Sequence, residues 1–256
     1  MKISDVITEL ENYAPPVLAE EYDNVGLLVG DREREVTSVL LALDVDMGVA
    51  EEAKAKGANL IVSHHPLIFD GVKNITADTP LGRCITYLIE NKIAVYAAHT
   101  NLDSAQGGLN DIMAGILGLE NTVSLSGNMA DTGIGRVGSL DPETTVAGLA
   151  QKLKSVFNLP FIKYTGDGTA PVTRVAVCTG SGASLLDEVI YIGADVYITG
   201  DMKYHNVRDA YTAGVNIIEL GHYDSEFICT RLFNRILDGV VATQVSESNR
   251  NIFNII

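Results

Sequence analysis

Positive charge is scarce in this chain: 18 Lys and Arg stand against 33 Asp and Glu, and the net charge of the 256 residues is −15. A sustained basic stripe, the footprint of non-specific nucleic-acid binding, is therefore missing. The acidic field also disfavours anionic polymers and anionic membrane surfaces. It leaves room for a small phosphate ligand, because bound cations invert the local field. Cysteine is scarce too. Cys84, Cys178 and Cys229 lie far apart and form no CxxC pair. That count and spacing exclude a disulfide framework and point to reduced core thiols in a cytoplasmic protein. No apolar run approaches the ~20 residues needed to span a bilayer. Met1-Lys2-Ile3-Ser4-Asp5 leads into a stretch broken by Glu9 and Glu11, unlike a signal peptide.

What is present is ordinary globular material, with 46% hydrophobic and 20% charged residues. The length fits one large domain or two small ones. Segments rich in Val, Ile and Leu alternate with amphipathic stretches. Val36–Leu43, Asn59–Ser63 and Ile93–Ala98 read as strands. Asp46–Gly57 reads as a helix closed by Gly57, and Thr79-Pro80 reads as an N-cap and first turn of a helix running to about Asn91. Asp141-Pro142 reads as the opening of a further helix to about Phe157. The alternation predicts an α/β fold with mostly parallel or mixed sheets and flanking helices.

The second half repeats the first. Val36-Thr37-Ser38-Val39 matches Val172-Thr173-Arg174-Val175 at an offset of 136 (172 − 36). The same offset carries Gly57-Ala58-Asn59 onto Gly193-Ala194-Asp195 and Ser63 onto Thr199. Further on, Ala98-His99-Thr100-Asn101-Leu102-Asp103 falls on Gly221-His222-Tyr223-Asp224-Ser225-Glu226 at an offset of 123 (222 − 99). Each copy thus ends a strand with His, three residues, then a carboxylate. Ser124, Ser126, Gly127 and Asn128 punctuate the stretch between the copies. The expected division is a first half, 1–125, with His64, His65 and Asp103, and a second, 126–256, with His222 and Glu226.

Four of the five histidines fall at predicted strand ends. His64 and His65 follow Leu60–Ser63, His99 follows Val95–Ala98, and His222 follows Asn216–Leu220. The carboxyl ends of strands form the ligand crevice of open α/β sheets. Adjacent histidines on a continuing strand point to opposite faces, but both can turn one way where the chain leaves the sheet. Pro66 restricts His65 and fixes that exit. Imidazoles with carboxylates suit Zn, Mn, Fe, Co or Ni better than Ca or Mg. Five candidate ligands exceed the need of one tetrahedral ion with an open position and suit two ions sharing a carboxylate. Glu226 is the candidate bridge and Asp103 the runner-up. His99 is a candidate partner to the ligands or a proton carrier, and His205 is a second candidate proton carrier.

These residues resemble the GTP cyclohydrolase I type 2 family, also known as the NGG-one-interacting-factor-three-like family. The resemblance rests on Tyr22-Asp23-Asn24-Val25-Gly26-Leu27, Ser63-His64-His65-Pro66-Leu67, Ala98–Asp103, Thr199-Gly200-Asp201-Met202-Lys203-Tyr204-His205 and Gly221–Glu226, in family order across nearly the whole chain. It implies ligation of two divalent ions by His64, His65, Asp103, His222 and Glu226. It also implies two related α/β halves facing a cleft, and a homohexameric ring. Family members often have Trp where this chain has Tyr22, and longer members carry an inserted middle domain that 256 residues leave no room for.

Other stretches have two readings. Asp23-Asn24-Val25-Gly26 is either a substrate loop or a turn. Lys203, Tyr204 and His205 either line the site or begin a solvated helix. Gly180-Ser181-Gly182 either cradles phosphate or makes a tight turn, and it is no complete phosphate-loop motif. The leading expectation is a dinuclear metal-dependent hydrolase acting on a small nucleotide-like substrate, by ring opening or phosphoester hydrolysis. The competing one is a non-catalytic metal-binding scaffold or metal-trafficking protein acting through partners.

Overall fold

The computed structural model describes residues 1–126 and 132–254. Of the punctuators between the repeats, Gly127 and Asn128 lie outside the described residues. In chain order the elements are α1 (Ile3–Tyr13), β1 (Gly26–Val29), β2 (Val39–Ala42), α2 (Met47–Ala55), β3 (Leu60–Ser63), α3 (Pro80–Glu90), β4 (Ala94–Ala97), α4 (Thr100–Ser104), α5 (Leu109–Leu117), β5 (Glu120–Ser124) and β6 (Arg136–Thr145). They continue with α6 (Val146–Val156), β7 (Lys163–Tyr164), β8 (Pro171–Ser181), α7 (Leu186–Ile192), β9 (Val196–Gly200), α8 (Tyr204–Thr212), β10 (Asn216–Glu219), α9 (His222–Glu226), α10 (Cys229–Ile236) and β11 (Thr243–Val245). The α/β class is as the sequence predicts. The chain divides into two compact units: Met1–Leu102 with Phe227–Ile252, and Asp103–Glu226 with Phe253–Ile256.

The first unit is built on a sheet of order β1-β4-β3-β2-β11, parallel except for β1. Every residue of β2, β3 and β4 is buried, which explains their unbroken apolar runs: a parallel sheet is covered on both faces. On one face Leu40, Ala42, Ile61 and Val95 pack with Val49, Ala50 and Ala53 of α2 and Cys84 and Leu88 of α3. α10 packs on β2 and α1 packs on α10. α1 turns inward the stripe Ile3, Val6, Ile7 and Leu10, spaced for one helical face. The predicted Thr79 cap forms, its Oγ1 accepting from the Gly82 amide at 3.0 Å with Pro80 opening α3. Asp46, read as the first residue of its helix, is instead the cap of α2, and its Oδ1 accepts from the Val49 amide at 2.9 Å.

The second unit has a sheet of order β5-β6-β8-β9-β10-β7. β8, β9 and β10 are parallel; β5, β6 and β7 join antiparallel. Ala176, Cys178, Tyr197 and Ile217 pack with Leu186 and Val189 of α7 and Ala210 of α8. The helix expected from Asp141 begins instead at Val146. Asp141-Pro142 lies inside β6, at an irregularity in its pairing with β8. The capping residue is Thr145, whose Oγ1 accepts from the Gly148 amide at 3.1 Å.

The repeat is visible inside each unit. Val39 pairs with Leu60 as Val175 pairs with Val196, which is the offset of 136 in both strands. The polar contacts repeat as well. Asn59 Oδ1 accepts from the Thr37 amide at 2.8 Å, and Asp195 Oδ2 accepts from the Thr173 amide at 2.9 Å. The next strand refines the alignment. The Ala98 amide donates to Ser63 O and the Leu220 amide to Thr199 O, an offset of 122 (220 − 98). Gly221 is therefore an extra residue before His222, accommodated by its left-handed φ of +93°.

Candidate metal centre

The first unit gathers three imidazoles. His64 and His65 leave the end of β3 while their amides still pair with Ala42 O and Leu43 O, at 3.3 and 2.9 Å. His99 follows β4 by two residues. The ring centroids lie 5.3 Å apart for His64–His65, 5.1 Å for His64–His99 and 5.6 Å for His65–His99. One ring nitrogen of each lies within 4.8 Å of those of the other two, close enough to share a metal ion.

Each ring is held through Nδ1. His64, fully buried, donates from Nδ1 to the Ala98 carbonyl at 2.8 Å. His65 Nδ1 lies 2.7 Å from Asp44 Oδ1, and His99 Nδ1 lies 2.9 Å from Asp23 Oδ1. An acceptor at Nδ1 fixes the proton there and leaves the lone pair on Nε2, the arrangement that orients metal-binding histidines. Asp23 is itself clamped: its Oδ2 accepts from the Thr100 amide at 3.0 Å and from the Thr100 hydroxyl. Burial pushes the Asp23 carboxyl upward, but the His99 and Thr100 hydrogen bonds outweigh it and hold it well below the usual carboxylate range.

The second unit carries the same logic. His222 opens α9 and Glu226 closes it one turn later. His222 Nδ1 lies 2.7 Å from Asp201 Oδ2, while Nε2 lies 2.9 Å from Glu226 Oε2. The two side chains thus already meet in this structure, an imidazole nitrogen and a carboxylate oxygen one helical turn apart, which are both ligand types for a transition-metal ion. The Glu226 side chain is only 5% exposed and lies hard against Gly180. A Cβ on Gly180 would stand 1.8 Å from Glu226 Oε1, and the residue has φ +63°. The Gly180 amide donates to Ser225 Oγ at 3.0 Å, so the C-terminal end of β8 backs the Glu226 carboxylate.

The remaining sequence candidates fall as follows. Asp103 lies on α4, 7% exposed, and its carbonyl accepts from Asn110 Nδ2 at 3.1 Å. His205 sits on the exposed first turn of α8, its ring 5.6 Å from that of Tyr204. Among the described residues it joins no group of metal-competent side chains. The 23–26 stretch does more than turn: Asp23 orients His99, and Asn24 Nδ2 donates to Ile68 O at 2.6 Å. Sequence reasoning missed Asp44 as a partner of His65 and Asp201 as a partner of His222. A usable signal existed, since each directly follows a run of strand residues. Asp201 also stands at the repeat position of His65 (201 − 136).

Comparison with known proteins places the chain in a family. The chain is 42% identical to a Clostridium perfringens protein named GTP cyclohydrolase 1 type 2 homolog, with 100% of both chains covered. A Clostridium acetobutylicum protein of the same name is 38% identical over 98% of this chain and 97% of its own. Among solved structures, a Bacillus cereus protein related to NIF3 superposes with a TM-score of 0.91 at 27% identity, covering 100% of this chain and 99% of that one. The family model described as Duf34/NIF3 (NGG1p interacting factor 3) matches residues 1–252, and the chain belongs to that family.

Proposed function

We propose that the protein is a dinuclear metal-dependent hydrolase acting on a small nucleotide-like substrate. The observation that carries the reading is the common treatment of four histidines. His64, His65, His99 and His222 each have Nδ1 within hydrogen-bond distance of an oxygen acceptor, so each presents Nε2 as its second ring nitrogen, as a ligand atom at His64, His65 and His222 and as a proton acceptor at His99. Such outer partners fix the ring orientation and tautomer of metal-ligating histidines.

In this reading His64, His65, Asp103, His222 and Glu226 would hold two divalent ions of the Zn, Mn, Fe, Co or Ni type, Glu226 being the candidate to serve both. When bound, the ions supply Lewis acidity, which acidifies water near neutral pH and polarises the bond under attack. The chain's own residues do the rest. Asp44 and Asp201 hold the ligand rings in one tautomer. His99 accepts a proton at Nε2 while Asp23, kept ionised by Thr100, stabilises the resulting imidazolium. His205 is the second candidate for the proton. The names of the relatives favour opening of a purine imidazole ring, and phosphoester hydrolysis suits the same ligand set. The reading extends to a homohexamer, from the family resemblance, and to a cytoplasmic setting, which three buried cysteines with no disulfide among the described residues fit.

The test is direct. Protein loaded separately with each metal is assayed on a panel of nucleotides and phosphoesters. Formate release from GTP marks ring opening, and inorganic phosphate marks esterase action. Turnover lost in both His65→Ala and Glu226→Ala, with folding intact, is the expected result. Turnover in neither metal-loaded nor metal-free wild type would leave the scaffold reading in its place.

A further inference from the structure

Two aromatic rings stand exposed beside the histidines of the first unit. Tyr22 is 65% exposed and Phe69 46%. Their centroids are 6.4 Å apart with the planes inclined at 57°, and Phe69 meets His99 edge-on at 6.2 Å. Scattered exposed apolar side chains are common and need no explanation. This pair differs because the backbone under each ring is pinned. Tyr22 directly precedes Asp23, which is bound to His99 and to the amide and hydroxyl of Thr100. Phe69 directly follows Ile68, whose carbonyl accepts from Asn24 at 2.6 Å. One turn thus anchors the backbone beside both rings and orients the His99 imidazole that Phe69 meets.

We infer that Phe69 is the stacking face and Tyr22 the tilted side wall of a platform for a planar heteroaromatic ring, a nucleobase or one of similar size, with that ring lying toward His99. Exposed aromatic faces are sequence-tolerant seats for bases, each stacked base being a substantial part of the binding energy. The pair is far smaller than a protein–protein interface needs. A ring stacked on Phe69 sits next to His99 and so brings its own bonds, rather than a phosphate chain, toward the imidazoles. The inference deepens the hydrolase reading, in that it assigns the base end of the substrate to the histidines and favours ring chemistry over phosphoester cleavage.

The chain contains no tryptophan, so Tyr22→Trp introduces a single fluorescent reporter at the platform. Guanosine, GTP and tripolyphosphate are titrated into this protein, with and without bound metal. Saturable quenching by guanosine and GTP, and none by tripolyphosphate, is expected. Adding Phe69→Ala should weaken guanosine binding about tenfold or more, while Phe69→Tyr should leave it within about threefold. Metal content of both Phe69 variants, measured by elemental analysis, should equal that of the parent. Absence of saturable quenching, or an unchanged affinity in Phe69→Ala, overturns the platform even if the protein holds its metals. Guanosine quenching in a protein that takes up no metal keeps the platform and removes the hydrolase reading.

Discussion

Gly180→Ala tests how tightly the fold presents Glu226. An added Cβ would lie 1.8 Å from Oε1, whereas real Cβ contacts are essentially never under 3.0 Å. The carboxylate must therefore move by at least 1.2 Å (3.0 − 1.8), or the backbone must. Ligand distances in a metal site tolerate about 0.2 Å. The displacement thus exceeds the tolerance several-fold, and metal affinity should drop by no less than the roughly 10–100-fold that loss of a mere supporting partner costs. The left-handed φ of +63° adds a conformational penalty of about 1–2 kcal/mol. Gly57→Ala separates the two effects: Gly57 has φ +71° and nothing within 4 Å of the added Cβ. The assay is chelator-competition titration of Zn or Mn on both variants, with urea denaturation alongside. Gly57→Ala should lose only the backbone penalty, Gly180→Ala at least as much stability, and only Gly180→Ala should lose metal. Undiminished metal affinity in Gly180→Ala, or equal loss in Gly57→Ala, refutes the reasoning.

Three further outcomes are expected. Asp44→Asn should leave the fold intact and weaken metal binding about 10–100-fold in the same titration, because His65 loses its tautomer-fixing partner; an unchanged constant contradicts that role. Asp111→Ala should destabilise the second unit by roughly 3 kcal/mol in urea melts, because it strips the carboxylate from Arg136, which is 2% exposed. A loss under 1 kcal/mol would show that the Gly133, Gly135 and Ala105 carbonyls suffice. Glu52 accepts from the Glu247 and Ser248 amides, the Ser246 and Ser248 hydroxyls, and Lys56. Burial opposes its ionisation, but those bonds outweigh it and depress its pKa below the ordinary 4.5. A depressed carboxylate stabilises the fold above its unfolded pKa and loses that effect as pH falls toward the folded value. Glu52→Gln should therefore flatten the acid limb of stability below about pH 4.5, read from urea midpoints against pH, and an identical limb in both proteins would contradict it.

Much of this was legible in the residues because the signals are local. Four-residue apolar runs, the Thr79 cap and Gly57 closure announce β2 to α3 without help from tertiary structure. The histidines were legible because they stand where strands end, and the repeat gave their positions a second witness. What escaped is non-local. Asn249 Oδ1 accepts from the Leu43 amide at 2.6 Å across 206 residues, and β11 pairs with β2, with nothing in either segment to announce the other. The Asp44, Asp23 and Asp201 carboxylates lie 21, 76 and 21 residues from the rings they orient, so spacing alone cannot identify them. Asp141-Pro142 misled because a proline that starts a helix and one that sits at a strand irregularity look alike until Thr145 is seen to cap.

Whether His64, His65, Asp103, His222 and Glu226 hold two cations is read from the metal content of wild-type, His65→Ala and Glu226→Gln proteins after loading with Mn or Zn and removal of free ion. Two ions per wild-type chain and a clear loss in each variant are expected; a folded wild type that retains none, or variants that retain as much as wild type, would rule the ligand set out.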